Sequence, residues 1–281
     1  MSRRLADEML EERFPLLLGK DYDAPSVFRP ENLLREARRQ RSLPDMTVPA
    51  VCLLDPDGDV VRHLISSGRG NRHPGWACYH TDMWVVEVSG IEIGVVGMAV
   101  GAPFAVLVAE QLAASGAELT ISVTSAGQVT ALAQPPYFVL IDKAWRDEGT
   151  SAHYQAPGPW SHLDQRLTER LVDAFSGLDE PVYVGASWTT DAPYRETAAA
   201  IEAAKTAGIV CVEMEAAALY SYAAARQRAV VCLAHITNTM AIDGDDFEKG
   251  RDNGVHDSLA VAHAVAQAVQ GRSPRWATLE S

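Results

Sequence analysis

Two carboxylates one residue apart, in "VEMEAAALY" (212–220), are the first residues of this chain whose types and spacing suggest chemistry. An apolar run, "AGIVCVEM", carries Glu213 and Met214 at its end, and an alanine-rich segment follows Glu215 directly. A glutamate in the first turn of a helix is explained by its favourable interaction with the helix dipole. That reading covers Glu215. It does not cover Glu213, which would close an apolar strand, where an unpaired carboxylate is costly to bury. A carboxylate held in a cleft can accept both hydroxyls of a vicinal diol, and ribose supplies such a diol.

Further stretches carry groups suited to a small polar ligand. "VGMAVGAPFA" (96–105) places Gly97 and Gly101 ahead of a helix whose free N–H groups can face an anion; a turn that merely feeds the helix is the alternative. "ISVTSAGQV" (121–129) ends an apolar run in small hydroxyls and a glycine, fit either to donate to a phosphate, sugar or base or simply to cap a strand exit. In "GASWTTDAPYRET" (185–197), Trp188 or Tyr194 can stack on a heterocycle and Arg195 can address its carbonyls. A core tryptophan beside a helix-capping aspartate is the competing account. "WRDEGTSAHY" (145–154) reads as a loop shaped by surface ion pairs, with His153 as a loop histidine.

The elements that must position these groups alternate in type. Strand-like runs span 48–54, 84–90, 91–100, 119–127, 137–145, 181–188, 207–214 and 229–237; helical segments span 103–115, 163–175, 195–207, 213–227 and 257–270. This alternation predicts an α/β fold with a largely parallel sheet, whose ligands collect where strands end and helices begin. Residues 1–45 read as a helical arm and 46–281 as one compact unit, with no repeat or linker between elements.

Composition narrows the class. The 281 residues are 47% hydrophobic and 22% charged, ordinary for a globular chain. A formal net charge of -13 without a basic stripe argues against nucleic acid or an anionic membrane as partner. No stretch reaches the apolar length of a membrane span. "MSRRLADEML" lacks the apolar core of a secretory leader, and Cys52, Cys78, Cys211 and Cys232 show no metal spacing, so a cytoplasmic protein with reduced thiols is expected.

Taken in order, the motifs resemble the nucleoside phosphorylase superfamily, over about residues 48–240. "VEMEAAALY" is similar to its ribose-binding signature. "GMAVGAPFAVLVAEQL" is similar to its "GMGIPSA…EEL" segment, and "ISVTSAGQ" to "IRVGTSG". "RDEGTSAHY" and "WTTDAPYRET" resemble stretches of uridine-phosphorylase-like members. The resemblance implies a three-layer α/β/α fold around a mixed, largely parallel sheet. It implies a homo-oligomer, hexameric or smaller, in which a neighbour often completes the site. It also implies a glycosyltransferase that cleaves a nucleoside's N-glycosidic bond with phosphate as co-substrate, giving free base and ribose 1-phosphate, with no metal or other cofactor.

Carried over by position, Met214 and Glu215 would contact ribose, Glu215 holding the 2′ and 3′ hydroxyls with Glu213 in support. Ser125 falls where the family has a phosphate-contacting threonine, and Gly127 where the backbone closes on the base, with Ala126 between them. Trp188, Arg195 and Asn238 complete the base side; Gly101 and Ser122 join Ser125 as phosphate positions. Two departures bear on mechanism. Ser122 stands where phosphorylases carry an arginine, and "LLDPDGDVVRH" (53–63) is at best a distant echo of their glycine-aspartate-proline loop ending in arginine. Arg69, Arg72, Arg146 or a neighbour's arginine would have to substitute. Asn238 also replaces the aspartate that protonates purines, which favours a pyrimidine or modified base. Water as nucleophile, or binding without turnover, are the alternatives these departures raise.

Overall fold

The computed structural model describes residues 16, 19–240 and 247–271; most of the first eighteen residues of the expected arm therefore lie outside the described residues. The chain then runs α1 (Pro30–Arg41), β1 (Val51–Asp55), α2 (Asp59–Ser67), β2 (Asn71–Arg72), β3 (Trp84–Val88), β4 (Ile91–Gly97), α3 (Ala102–Ala114) and β5 (Leu119–Gln128). It continues through β6 (Tyr137–Asp147), β7 (Trp160–His162), α4 (Gln165–Leu171), β8 (Val182–Thr190), α5 (Ala198–Thr206), β9 (Ile209–Glu213), α6 (Ala216–Arg226), β10 (Ala229–Asn238) and α7 (Val255–Gln270).

The sheet is mixed, and its centre is parallel. β4, β1, β5 and β10 lie side by side in parallel register, and every residue of β1 is buried, as a strand covered on both faces must be. β3 returns antiparallel on β4 through a turn at Ser89 and Gly90, which have φ of 48° and 85°. β6 runs antiparallel to β10, and β8 and β9 follow β6 in parallel. β9 then meets the end of β5 in antiparallel register. The strands β5, β10, β6, β8 and β9 thus close a ring, so none of the five is left as an open edge.

Helices α1, α3 and α6 pack together in one layer, while α2, α4 and α7 form the other. Their boundaries follow local chemistry. α3 begins at Gly101 with proline in its first turn, Gly116 with φ of 107° follows its end, and the Thr197 hydroxyl caps α5.

Ring closure sets the site. Gly127 faces Val212 across β5–β9 and Asn238 across β5–β10, so three strand ends converge. A Cβ on Gly127 would lie 2.7 Å from the Met240 sulfur and 3.3 Å from Val212, so a larger residue here would push the Met240 side chain aside.

Tyr220 on α6 ties that layer to the ring. Its hydroxyl donates to the Ile141 carbonyl at 2.6 Å and accepts from the Cys232 N–H at 3.1 Å, in full burial. Tyr220→Phe leaves both backbone groups short of a partner and should destabilise the protein by about 1–3 kcal/mol in urea unfolding. A loss under about 0.5 kcal/mol would show that the hydroxyl does not brace the ring.

Candidate active site

β9 ends in Glu213, and the chain turns once at Met214 before α6. The Glu213 carboxylate fills this turn. Its Oε2 accepts the N–H groups of Glu215 and Ala216, both at 2.7 Å; its Oε1 accepts the hydroxyls of Ser187 at 2.9 Å and Thr189 at 2.5 Å. Thr189 in turn accepts the Ala217 N–H at 2.9 Å. The orphan donors at the start of α6 are thereby satisfied by a strand-end carboxylate and a neighbouring hydroxyl. Burial raises the Glu213 pKa, and these donors work against the rise.

Glu215 occupies the N-cap position of α6 without capping it. Its Oε1 accepts the Gly101 N–H at 2.7 Å. Gly101 supplies this contact from the β4–α3 loop at φ of 86°, a backbone region that favours glycine. The other oxygen, Oε2, is buried and has no hydrogen-bond partner among the described residues. The Thr124 hydroxyl stands beside this carboxylate and helps to hold its pKa down, while its geometric hydrogen bond goes to the Ser125 carbonyl at 3.4 Å. Burial, reinforced by the Glu213 charge, pushes the Glu215 carboxyl up to about 8, against the pull of the Gly101 N–H.

A cleft of about 480 Å³ opens over these strand ends. Ser125, Ala126 and Gly127 from β5, Glu213, Met214 and Glu215 from the β9–α6 turn, and Asn238 from β10 all line it. Its rim carries Tyr194, which is 99% exposed, and Phe247, 60% exposed. Asn238 is partly self-occupied: its amide nitrogen donates to Thr237 Oγ1 at 3.2 Å and its oxygen accepts the Met240 N–H at 2.9 Å.

Four expected site residues are placed elsewhere. Trp188 is buried in a cluster with Val129, Ile209 and Val212, its indole N–H on Asp147 at 3.0 Å, as the core-tryptophan account has it. Arg195 is exposed on the turn Pro193–Arg195; its neighbours Pro193, Tyr194 and Glu196 line the cleft and it does not. Ser122 is buried in mid-strand between Leu54 and Cys232, away from the strand exit. Gly101 does not line the cleft, and its N–H is committed to Glu215.

The candidate substitute arginines are placed elsewhere too. Arg146 bonds Ser151 and the carbonyls of Gln155 and Ala156, Arg72 pairs with Asp82, and Arg69 lines a different surface hollow.

Conversely, Asp57, Glu196 and Lys249 line the cleft, and sequence reasoning did not single them out. The "DPDGD" stretch was the one available signal for Asp57.

The model of the phosphorylase superfamily matches residues 50–269. The chain belongs to that superfamily. A guanosine phosphorylase of Halorubrum lacusprofundi is 26% identical over 172 residues, covering 58% of this chain and 71% of the relative. A uridine phosphorylase of Thermococcus kodakarensis is 26% identical over 190 residues, covering 59% and 69%.

Among solved structures, purine nucleoside phosphorylase of Toxoplasma gondii in complex with immucillin-H superposes with a TM-score of 0.67 at 16% identity. It covers 81% of this chain and 93% of that one. Uridine phosphorylase of Vibrio fischeri ES114 gives 0.65 at 19% identity over the same shares. The three-layer α/β/α architecture is therefore that of the nucleoside phosphorylases. Purine and uridine phosphorylases need no cofactor, and phosphate is their co-substrate.

The raised pKa of Glu215 has a signed consequence. From the ordinary value of 4.5 up to about 8 the folded protein holds a proton that the unfolded chain has released. Stability from this group is therefore fully present below about pH 4.5 and is lost as pH rises through 8. Glu215→Gln should flatten the decline in urea stability between pH 5 and 8. Equal slopes in parent and variant would mean that Glu215 is already ionised in the fold.

Proposed function

We propose that this protein cleaves the N-glycosidic bond of a nucleoside, with Glu215 holding the ribose. One observation carries the reading: a buried carboxylate oxygen without a hydrogen-bond partner among the described residues, on a residue that lines the strand-end cleft. A vicinal diol supplies two donors to such a group, and the charge-assisted bonds that form favour the ionised carboxylate. Met214 packs beside the sugar, and Glu213, its four acceptor contacts already made, fixes Glu215 rather than touching the ligand.

The base lies toward Gly127, Val212 and Met240, under the rim aromatics Tyr194 and Phe247. Asn238 offers no proton to a departing purine, which supports a pyrimidine or modified base. The guanosine and uridine phosphorylase relatives support phosphate as the acceptor of the sugar, giving ribose 1-phosphate. Water, giving free ribose, is a second acceptor with its own support. Among the described residues lining the cleft Lys249 is the one cation, and it is already paired with Asp57 and Asp59. A homo-oligomer of six chains or fewer in the cytoplasm, as the family resemblance implies, belongs to the same proposal.

The test compares ribonucleosides with their 2′,3′-dideoxy analogues. The parent should release base from a panel that includes uridine and guanosine, and bind the dideoxy analogues at least ~10-fold more weakly, since a hydrogen bond to a charged group contributes about 1.5–3 kcal/mol. Glu215→Gln should bind both forms alike. If the parent does not discriminate between them, Glu215 does not hold the sugar.

A further inference from the structure

The loop from β1 to α2 brings a second carboxylate into the cleft, and its surroundings are built. Asp55, buried at the end of β1, accepts the N–H groups of Gly58 at 3.1 Å and Val61 at 2.9 Å, which fixes the loop. Asp57, at its tip, accepts the Ser125 N–H on Oδ2 at 2.9 Å. Lys249 Nζ stands 3.4 Å from that same oxygen and 2.7 Å from Asp59 Oδ2. Both contacts of Asp57 fall on Oδ2, and the Asp57 side chain is 32% exposed at the cleft. Asp57 and Glu215 thus attend consecutive residues of one strand exit: Ser125 bonds the first and Thr124 flanks the second.

A backbone N–H at a strand exit, beside an ammonium, is a ready seat for an oxyanion. In this chain the seat is filled by the protein's own carboxylate. A phosphate dianion placed there would have to displace Asp57 and then sit against Asp57 and Asp59, with one ammonium between them. Like charges so close in a half-buried cleft oppose that arrangement. A neutral water meets no such opposition and finds in Asp57 an acceptor already oriented by Ser125 and Lys249.

We propose that Asp57 is a catalytic residue, the general base that activates water, and that water rather than phosphate accepts the sugar in this chain. The proposal rests on the glycosidic-cleavage reading above. In the step, the water oxygen bonds to C1′ while the C1′–N bond breaks and its electron pair leaves on the base nitrogen. Asp57 takes one proton from the water. The departing base gains a proton from solvent and Asp57 returns its own to solvent, so nucleoside plus water yields base plus free ribose.

The experiment runs the nucleoside panel with and without phosphate, separates the sugar products, and repeats it with Asp57→Asn. Asparagine can still accept the Ser125 N–H but cannot take a proton. The parent should give free ribose at a rate indifferent to phosphate. The variant should lose about 100-fold or more in kcat, with its nucleoside Kd and melting temperature close to the parent's. A purely structural role for Asp57 would instead move Kd and stability. Ribose 1-phosphate formed in proportion to phosphate overturns the proposal while leaving glycosidic cleavage standing, and needs no variant. Parent-like kcat in Asp57→Asn overturns it as well. A parent that cleaves no nucleoside removes the reading beneath it, and the proposal with it.

Discussion

Everything at the cleft depends on one buried carboxylate being fully satisfied. Glu213 ends an apolar strand inside the protein, where an ionised group without partners would be untenable. Two hydroxyls of β8 and two backbone N–H groups at the start of α6 converge on it. That convergence pins β8, β9 and α6 to one another. Glu215, two residues on, takes the Gly101 N–H on one oxygen, and its second oxygen makes no geometric hydrogen bond among the described residues. The spacing Glu-Met-Glu therefore divides one problem between two residues: the first secures the turn, and the second stays available to a ligand.

The availability has a physical cost that shapes the site's behaviour. A lone carboxylate so buried beside another acid holds its proton well above the usual carboxylate range. Any ligand that donated hydrogen bonds to it would favour the ionised form, so binding of such a ligand would be linked to proton release. The glycine at 101 matters here for its backbone, which reaches the carboxylate from across the fold.

Charge distribution separates this chain from its superfamily's expected pattern. The protein is acidic as a whole, and the cleft repeats that balance locally, with Lys249 held between Asp57 and Asp59. Arg146 and Arg72 are engaged in shaping loops, and Arg69 lines a different surface hollow. The fold is thus of the family's type, while the β1–α2 side of the cleft sets acids around its one lysine among the described lining residues.

Local pattern carried most of the architecture. Long apolar runs with glycine and proline punctuation set β1, β4, β5, β9 and β10, and the helices α3, α6 and α7, within a few residues of where they lie. The strands β2 and β7 are two and three residues long, too short for periodicity to register. α2 was hidden behind a start at Gly58 with φ of 75° and an acidic turn. For the site, the Glu213–Glu215 pair and the Ser125–Gly127 exit were legible because each is a contiguous motif at a strand end. Side-chain type alone could not say that Trp188 turns into the core or that Arg195 stays outside the cleft. Nor could it join Asp57 to Ser125, 68 residues later, or Gly101 to Glu215, 114 residues later. Periodicity and capping act within a few residues and are written in the sequence. Which distant donor meets which carboxylate is decided by sheet register and ring closure, and those exist only in the folded chain.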